Sequence, residues 1–415
     1  MENFLKYFPS PADLIHGKNS SKSNIALNPN GHIHTPYSFS AFSDIGSIFS
    51  KAAAEGINVL GINDFYVADG YEAFLQGAVR SGVFPLFNIE FIGLMKDEQS
   101  RGIRINDPNN PGRIYFCGKG LDFPFHLKPA NLDALDAVKE ESQVQLKAML
   151  ARLNNMIKEA GLPFHLDFEV IRKSFAKELV RERHIAKAVR SLAAVNFSSE
   201  EARKDFLEML YGGKKSRYGF DETAAIENEI RSNILKAGGT AFVEEDEKSF
   251  LPVNTIISII ADAGGIPCYP VLLDDPSGKF TEFESDPAKL SGSLRRLGVG
   301  CIELIPGRNS HRILEDFTGF FDSEKFVITF GTEHNTPEMV PLNVTARGGV
   351  PLGARLGQIN RRGVSVIAAH QYLRSRGENG FIKSDGRPDS WKIDEFASLG
   401  EAVIQHYLGI NKNEN

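Results

Sequence analysis

Apolar and polar positions along this 415-residue chain follow two different rhythms. Between 30 and about 125, short apolar runs alternate with stretches of helical spacing. VLGIN (59–63), LFNIE (86–90) and IYFCG (114–118) are each followed by polar or glycine-rich residues, the pattern of buried strands. Asp44 predicts the start of a helix that runs through KAAAE and stops at Gly56. Strand and helix in alternation predict a mostly parallel sheet or barrel. Between 130 and 237 the rhythm changes. Leu146, Met149, Leu150, Leu153, Met156 and Ile157 recur at helical intervals up to Gly161, and further helical patterns cover about 180–193, 199–211 and 222–237. The strand rhythm then resumes with NTIISIIADAGG, read as a helix capped by Asn254, and with strands at 266–272, 301–306 and 326–330.

This patterning divides the chain into an irregular lead-in (1–29), a barrel or sheet in two pieces (30–129 and 238–340), a helical insertion or cap (130–237) and an extension (341–415). Helices are expected near 355–376 and 391–407 of the extension. Its glycine-rich ARGGVPLGARLG lacks the Lys-Ser/Thr ending of a phosphate loop and reads as a connection.

The composition narrows the function classes. A net charge of −6 gives no overall attraction to duplex nucleic acid or to an acidic membrane. Cys117, Cys268 and Cys301 each lie in an apolar run and read as buried thiols rather than a disulfide set. No basic segment followed by a long apolar stretch opens the sequence, and no run has the length of a membrane span, so a cytoplasmic protein is expected.

The candidate chemistry lies at the ends of the expected strands, where parallel βα folds gather functional side chains. His32-x-His34 places two imidazoles on one strand face. Other strand ends read Asn63-Asp64-Phe65, Glu90, Tyr115 and Gly331-Thr332-Glu333-His334. Two histidines and two carboxylates converging on a barrel axis suit one Zn²⁺, Mn²⁺ or Fe²⁺ with room for water. A pair of exposed histidines at a strand end is the competing reading of His32 and His34 alone.

The ordered series of motifs resembles the PHP (polymerase and histidinol phosphatase) family of metal-dependent phosphoesterases. It runs from HIHT (32–35) through A-x-x-x-G-I-N-V-L-G-I-N-D (52–64), NIEF (88–91), R-x-x-H-I-A-K-A-V (181–189) and LKAGGTAFVEED (235–246). It continues through GGIP (264–267), LGVGCIEL (297–304) and ITFGTEH (328–334). The closest subgroup acts on nucleotides or short oligonucleotides. The resemblance implies a distorted, TIM-like seven-stranded (β/α) barrel with a helical insertion. It also implies the site, which in the family holds three metals. First-site positions read His32, His34, Glu90 and Glu333. Those unique to the second read Tyr115 and Val271 or its neighbours, and those of the third read Phe39, Phe65 and Asn335. One metal per chain is therefore expected, with His334 as a further candidate ligand. On the cap helix the resemblance implies phosphate contacts from His184 with Arg181, Arg183 and Lys187, and catalytic roles for His184 and Glu90.

Three functions follow from these residues. The first is a metal-dependent phosphoesterase acting on a small phosphorylated molecule. The second is a mononuclear enzyme of other chemistry, a C–N or C–O hydrolase or a sugar lyase or isomerase. The third is a non-catalytic ligand-binding relative.

Overall fold

The computed structural model describes residues 3–20, 24–273 and 278–413. The strands of its main sheet are β1 (Pro29–Ile33), β2 (Val59–Phe65), β3 (Phe84–Leu94), β4 (Arg113–Lys119), β5 (Leu251–Pro252), β6 (Ile266–Val271), β7 (Cys301–Leu304) and β8 (Val327–Phe330). Seven form a ring in the order β1-β2-β3-β4-β6-β7-β8, and the two-residue β5 pairs with β3. The result is a distorted TIM-like α/β barrel flanked by helices.

The distortion is the direction of β4. It runs antiparallel to both neighbours, with Glu90 opposite Cys117 and Cys117 opposite Cys268. An apolar run marks a strand but carries no direction, so the expected parallel alternation fails here. The reversal puts the last residue of β4, Lys119, near the floor of the barrel rather than at its mouth.

Side chains alternate along each strand. Leu60, Ile62, Phe87, Ile89, Ile302, Leu304, Ile328 and Phe330 face the surrounding helices and join the main apolar core. Val59, Leu86, Cys117, Ile266, Cys268, Cys301 and Val327 face inward and form the lower barrel interior. Two helices of the extension, Gly353–Ser375 and Ile393–Asn413, close this floor together with Leu5 and Leu14 from the lead-in. The lead-in is therefore not irregular: it carries a 3-10 turn (Phe4–Tyr7) and a helix (Pro11–Ser20), while residues 1–2 and 21–23 lie outside the described residues.

The floor helix Gly353–Ser375 also completes the barrel's hydrogen bonding. Where β8 meets β1, Phe330 N donates to Asn360 Oδ1 (2.8 Å) and Asn360 Nδ2 donates to Pro29 O (3.1 Å). Higher on the same seam the ring closes directly, His34 N donating to Glu333 O at 2.6 Å. On β3, below its pairing with β4, Phe87 N donates to Gln371 Oε1 and Gln371 Nε2 to Pro85 O. Gly363 allows this approach, since a Cβ there would lie 1.9 Å from Ile328 O. His370, on the same helix, meets Gly264 O (2.6 Å) through Nε2 and accepts from Phe381 N (3.0 Å) through Nδ1, a structural role.

The helices between 129 and 235 have an apolar core of their own, including Leu146, Met149, Leu153, Ile185, Val189, Phe206 and Ile230. Two local expectations shift. The helix Val253–Asp262 has Pro252 at its N-cap, so Asn254 lies inside the first turn. The helix expected over 222–237 runs Thr223–Ile230 and continues as a π-turn, Arg231–Leu235. No helix of the described residues is long and apolar enough to cross a membrane.

Candidate metal centre

His32 and His34 rise from the end of β1, and Glu90 from the inward face of β3. Three of their atoms form a triangle: His32 Nε2 to His34 Nε2 is 3.2 Å, His34 Nε2 to Glu90 Oε2 is 3.0 Å, and His32 Nε2 to Glu90 Oε2 is 3.7 Å. Nitrogen and oxygen donors about 2.0–2.2 Å from a tetrahedral cation stand about 3.3–3.6 Å apart, and the sides of this triangle scatter around that value. All three side chains are buried, and together they constitute one group able to hold a metal ion. Glu90 Oε2 has no hydrogen-bond donor among the described residues. Leaving a buried carboxyl oxygen orphaned is costly unless a cation, or in the metal-free chain a proton shared with His34 Nε2 at 3.0 Å, lies against it.

Hydrogen bonds on the far side of each ring fix the orientation. Ser38 Oγ donates to Asp64 Oδ1 (2.6 Å), so it accepts from His34 Nδ1–H (3.1 Å) and leaves His34 Nε2 with its lone pair. Glu303 Oε1, an acceptor, lies 2.7 Å from His32 Nδ1. Asp64, read from sequence as a strand-end carboxylate, also accepts from Thr35 N (2.7 Å) and ties down the turn after β1.

Burial sets the protonation states. It lowers His34 to about 4, against the pull of Asp64, so the ring is neutral at pH 7. It lifts Glu90 far above the carboxylate range, to about 8. Burial would also raise Glu303, but His32 and Lys119 outweigh it and hold that carboxyl at about 2. A metal takes Glu90 as the carboxylate, so loading at pH 7 is expected to release close to one proton, and His34 releases none. The Glu90 contribution to affinity then rises with pH up to about 8. Calorimetric zinc titrations in buffers of different ionisation enthalpy measure this; loading at pH 7 that releases no proton contradicts it.

Two sequence-expected ligands stand apart from the triangle. The Glu333 carboxylate pairs with Arg308. His334 stacks on Phe42, its Nδ1 meets Thr332 Oγ1 (2.9 Å) and its Nε2 meets Val340 O (3.0 Å), so both ring nitrogens are engaged elsewhere. Glu333 and His334 adopt φ of 61° and 58°, a left-handed turn, and neither belongs to the donor group, although the Glu333 charge still acts on His34 and Glu90.

The cap helix Glu182–Asn196 approaches the mouth with its N-terminus. Arg181 lies over the Phe65 ring (4.7 Å), and Phe65 stacks on His34 (4.8 Å). Arg183 lies over Phe39 (5.6 Å) and donates to Asn228 Oδ1. Among the described residues no carboxylate pairs with Arg181. His184 Nδ1 accepts from Arg181 N (2.9 Å), which leaves Nε2 as the donor, and burial lowers the ring to about 3, so it is a neutral donor rather than a cation. His184 and Lys187 line a cavity of about 280 Å³, together with Phe39, Ser40, Ser43 and Arg190.

Two residues that the sequence reading passed over complete the interior. Glu303 sits inside the apolar CIEL run, and Lys119 inside G-K-G; both are fully buried and meet at 2.6 Å. A single acid two residues after Cys301, on the inward face of β7, was the available signal for Glu303. Cys117, Glu303 and His32 form a second group of metal-type donors, and the Lys119 ammonium already lies against its carboxylate.

No family model matches the chain, and no curated protein sequence matches it. Among solved structures, a protein described as a candidate metal-dependent phosphoesterase from Bifidobacterium adolescentis is similar over 78% of this chain and 94% of its own, at 14% identity and a TM-score of 0.50. An amidohydrolase from Chromobacterium violaceum, with sulfate and no metal bound, aligns over 80% of this chain and 97% of its own, at 16% identity and a TM-score of 0.46. The first likeness shows a shared barrel fold and assigns no residue a role.

Proposed function

We propose that this chain is a metal-dependent hydrolase of the PHP type, holding one divalent cation on His32, His34 and Glu90 and acting on a small phosphorylated substrate. The triangle of His32 Nε2, His34 Nε2 and orphaned Glu90 Oε2 carries the reading. The ion would supply a Lewis acid and acidify a water toward neutrality. The chain's own residues supply the rest. The His34–Ser38–Asp64 and His32–Glu303 contacts hold both lone pairs toward the axis. Arg181, 4.7 Å over the Phe65 ring and with no carboxylate pairing it among the described residues, would receive phosphate oxygens at the mouth. His184 offers a neutral N–H and Lys187 a charge in the adjoining cavity. Together they exclude water from one face and orient an anion above the donors. The fold shared with a candidate metal-dependent phosphoesterase supports the phosphate reading.

One cation's worth of donors also suits polarisation of a carbonyl, which keeps a C–N or C–O hydrolase as the second reading. A panel of nucleotides, sugar phosphates and unphosphorylated amides separates the two. Phosphate release that disappears in His32→Ala supports the first, and turnover of amides alone supports the second.

A further inference from the structure

Beneath the metal donors lies a buried ion pair that the hydrolase reading does not use. Lys119 and Glu303 are both fully buried in the barrel interior. Lys119 Nζ donates to Glu303 Oε2 at 2.6 Å and to Asn63 Oδ1 at 3.1 Å. Both recipients touch the same imidazole: Glu303 Oε1 lies 2.7 Å from His32 Nδ1, and Asn63 Nδ2 lies 3.0 Å from His32 Nε2. Lys119 can reach this place because β4 is reversed. Paired with Ile266 at the bottom of β6, it enters from below and its stem runs up the axis. On a parallel β4 the same residue would end at the mouth, among the substrate-facing side chains.

We propose that the Lys119–Glu303 pair is a positioning device for His32. Lys119 anchors one carboxylate oxygen, so the other faces Nδ1 in a single orientation. A carboxylate only accepts, so Nδ1 carries a proton, and Nε2 is the atom left to the donor triangle. The same ammonium holds the Asn63 carbonyl, which turns the Nδ2 donor toward the ring, 3.0 Å from Nε2 and 3.3 Å from Nδ1. The inference rests on the metal reading for its affinity consequence, but the state of the His32 ring is a property of the metal-free chain.

A buried pair of this kind has a plain alternative, in which it only holds the barrel together. Replacing such a pair with apolar residues often leaves stability unchanged or raised, whereas removing one partner is damaging. The test therefore compares wild type, Lys119→Met and Lys119→Met/Glu303→Leu, the double variant deciding the matter if the single one does not fold. Zinc affinity is measured by chelator competition. The His32 tautomer is read by imidazole nitrogen–proton correlation spectra of isotope-labelled, metal-free protein. The expected result is zinc binding weaker by about 10–100-fold, the range for lost supporting contacts to a metal-bound histidine, together with conversion of His32 from a pure Nδ1–H form to a mixture. Unchanged affinity and an unchanged His32 spectrum in a folded double variant overturn the proposal and leave the pair a purely structural one. If wild type binds no zinc, the metal reading fails by itself. The spectrum still decides the positioning: a changed tautomer supports it and an unchanged one refutes it.

Discussion

Glu90→Gln is expected to abolish metal-dependent turnover, by at least ~10³-fold or about 4 kcal/mol in the barrier, while leaving the metal-free protein as stable as wild type or more so. The reasoning starts from the orphaned Oε2. A glutamine keeps the shape of the side chain but removes the charge that would face the cation. In the metal-free protein that charge is a burden, because burial lifts Glu90 to about 8. A folded-state value above the ordinary one near 4.5 means the protonated group is the compatible one. Stability tied to it is fully present at acid pH and is lost as pH rises toward and through 8. Metal-free wild type should therefore weaken against Glu90→Gln between about pH 5 and pH 8 in urea titrations. A glutamine variant that is less stable than wild type across that range would show that Glu90 is a structural residue.

Arg181→Ala is expected to lower kcat/KM on phosphorylated substrates by ~10²–10³-fold, about 3–4 kcal/mol, the usual loss for one preorganised donor to a developing anion. Its metal content should not change, because no atom of Arg181 belongs to the donor triangle. The guanidinium rests on Phe65, and Phe65 rests on His34, so its charge is held a fixed step above the candidate metal position. Lysine should restore little, since an ammonium neither lies flat on the ring nor offers two parallel donors. Steady-state kinetics on the best phosphorylated substrate of the panel, with parallel metal analysis, measure both parts. Equal losses on phosphorylated and unphosphorylated substrates would remove the phosphate assignment from Arg181.

The site was legible where local pattern and chemistry coincide. His32-x-His34 announces itself through strand alternation, and Glu90 through its place at the end of the LFNIE run. The strand positions along the barrel followed from apolar runs alone. Pairing direction and partner choice were not legible, because both depend on the whole sheet. The reversal of β4 follows from β3 extending to Leu94 and the chain turning back along it, which IYFCG does not encode. Lys119 consequently carried no signal and is fully buried in the interior, as its partner Glu303 is. Glu303 was hidden by its apolar neighbours. Glu333 reads as a ligand position, yet its carboxylate pairs with Arg308 and lies outside the donor group. The extension showed helical periodicity but not its partner. Only the folded barrel reveals that Asn360 and Gln371 supply main-chain hydrogen bonds at the β8–β1 seam and on lower β3.

The central claim is one metal on His32, His34 and Glu90, and metal content tests it most directly. Protein purified without chelators, dialysed against zinc, manganese or iron(II) and analysed by plasma mass spectrometry, should carry about one ion per chain, falling to near zero in His32→Ala and Glu90→Gln. No bound metal in folded wild type, or an ion retained undiminished by both variants, would contradict the account.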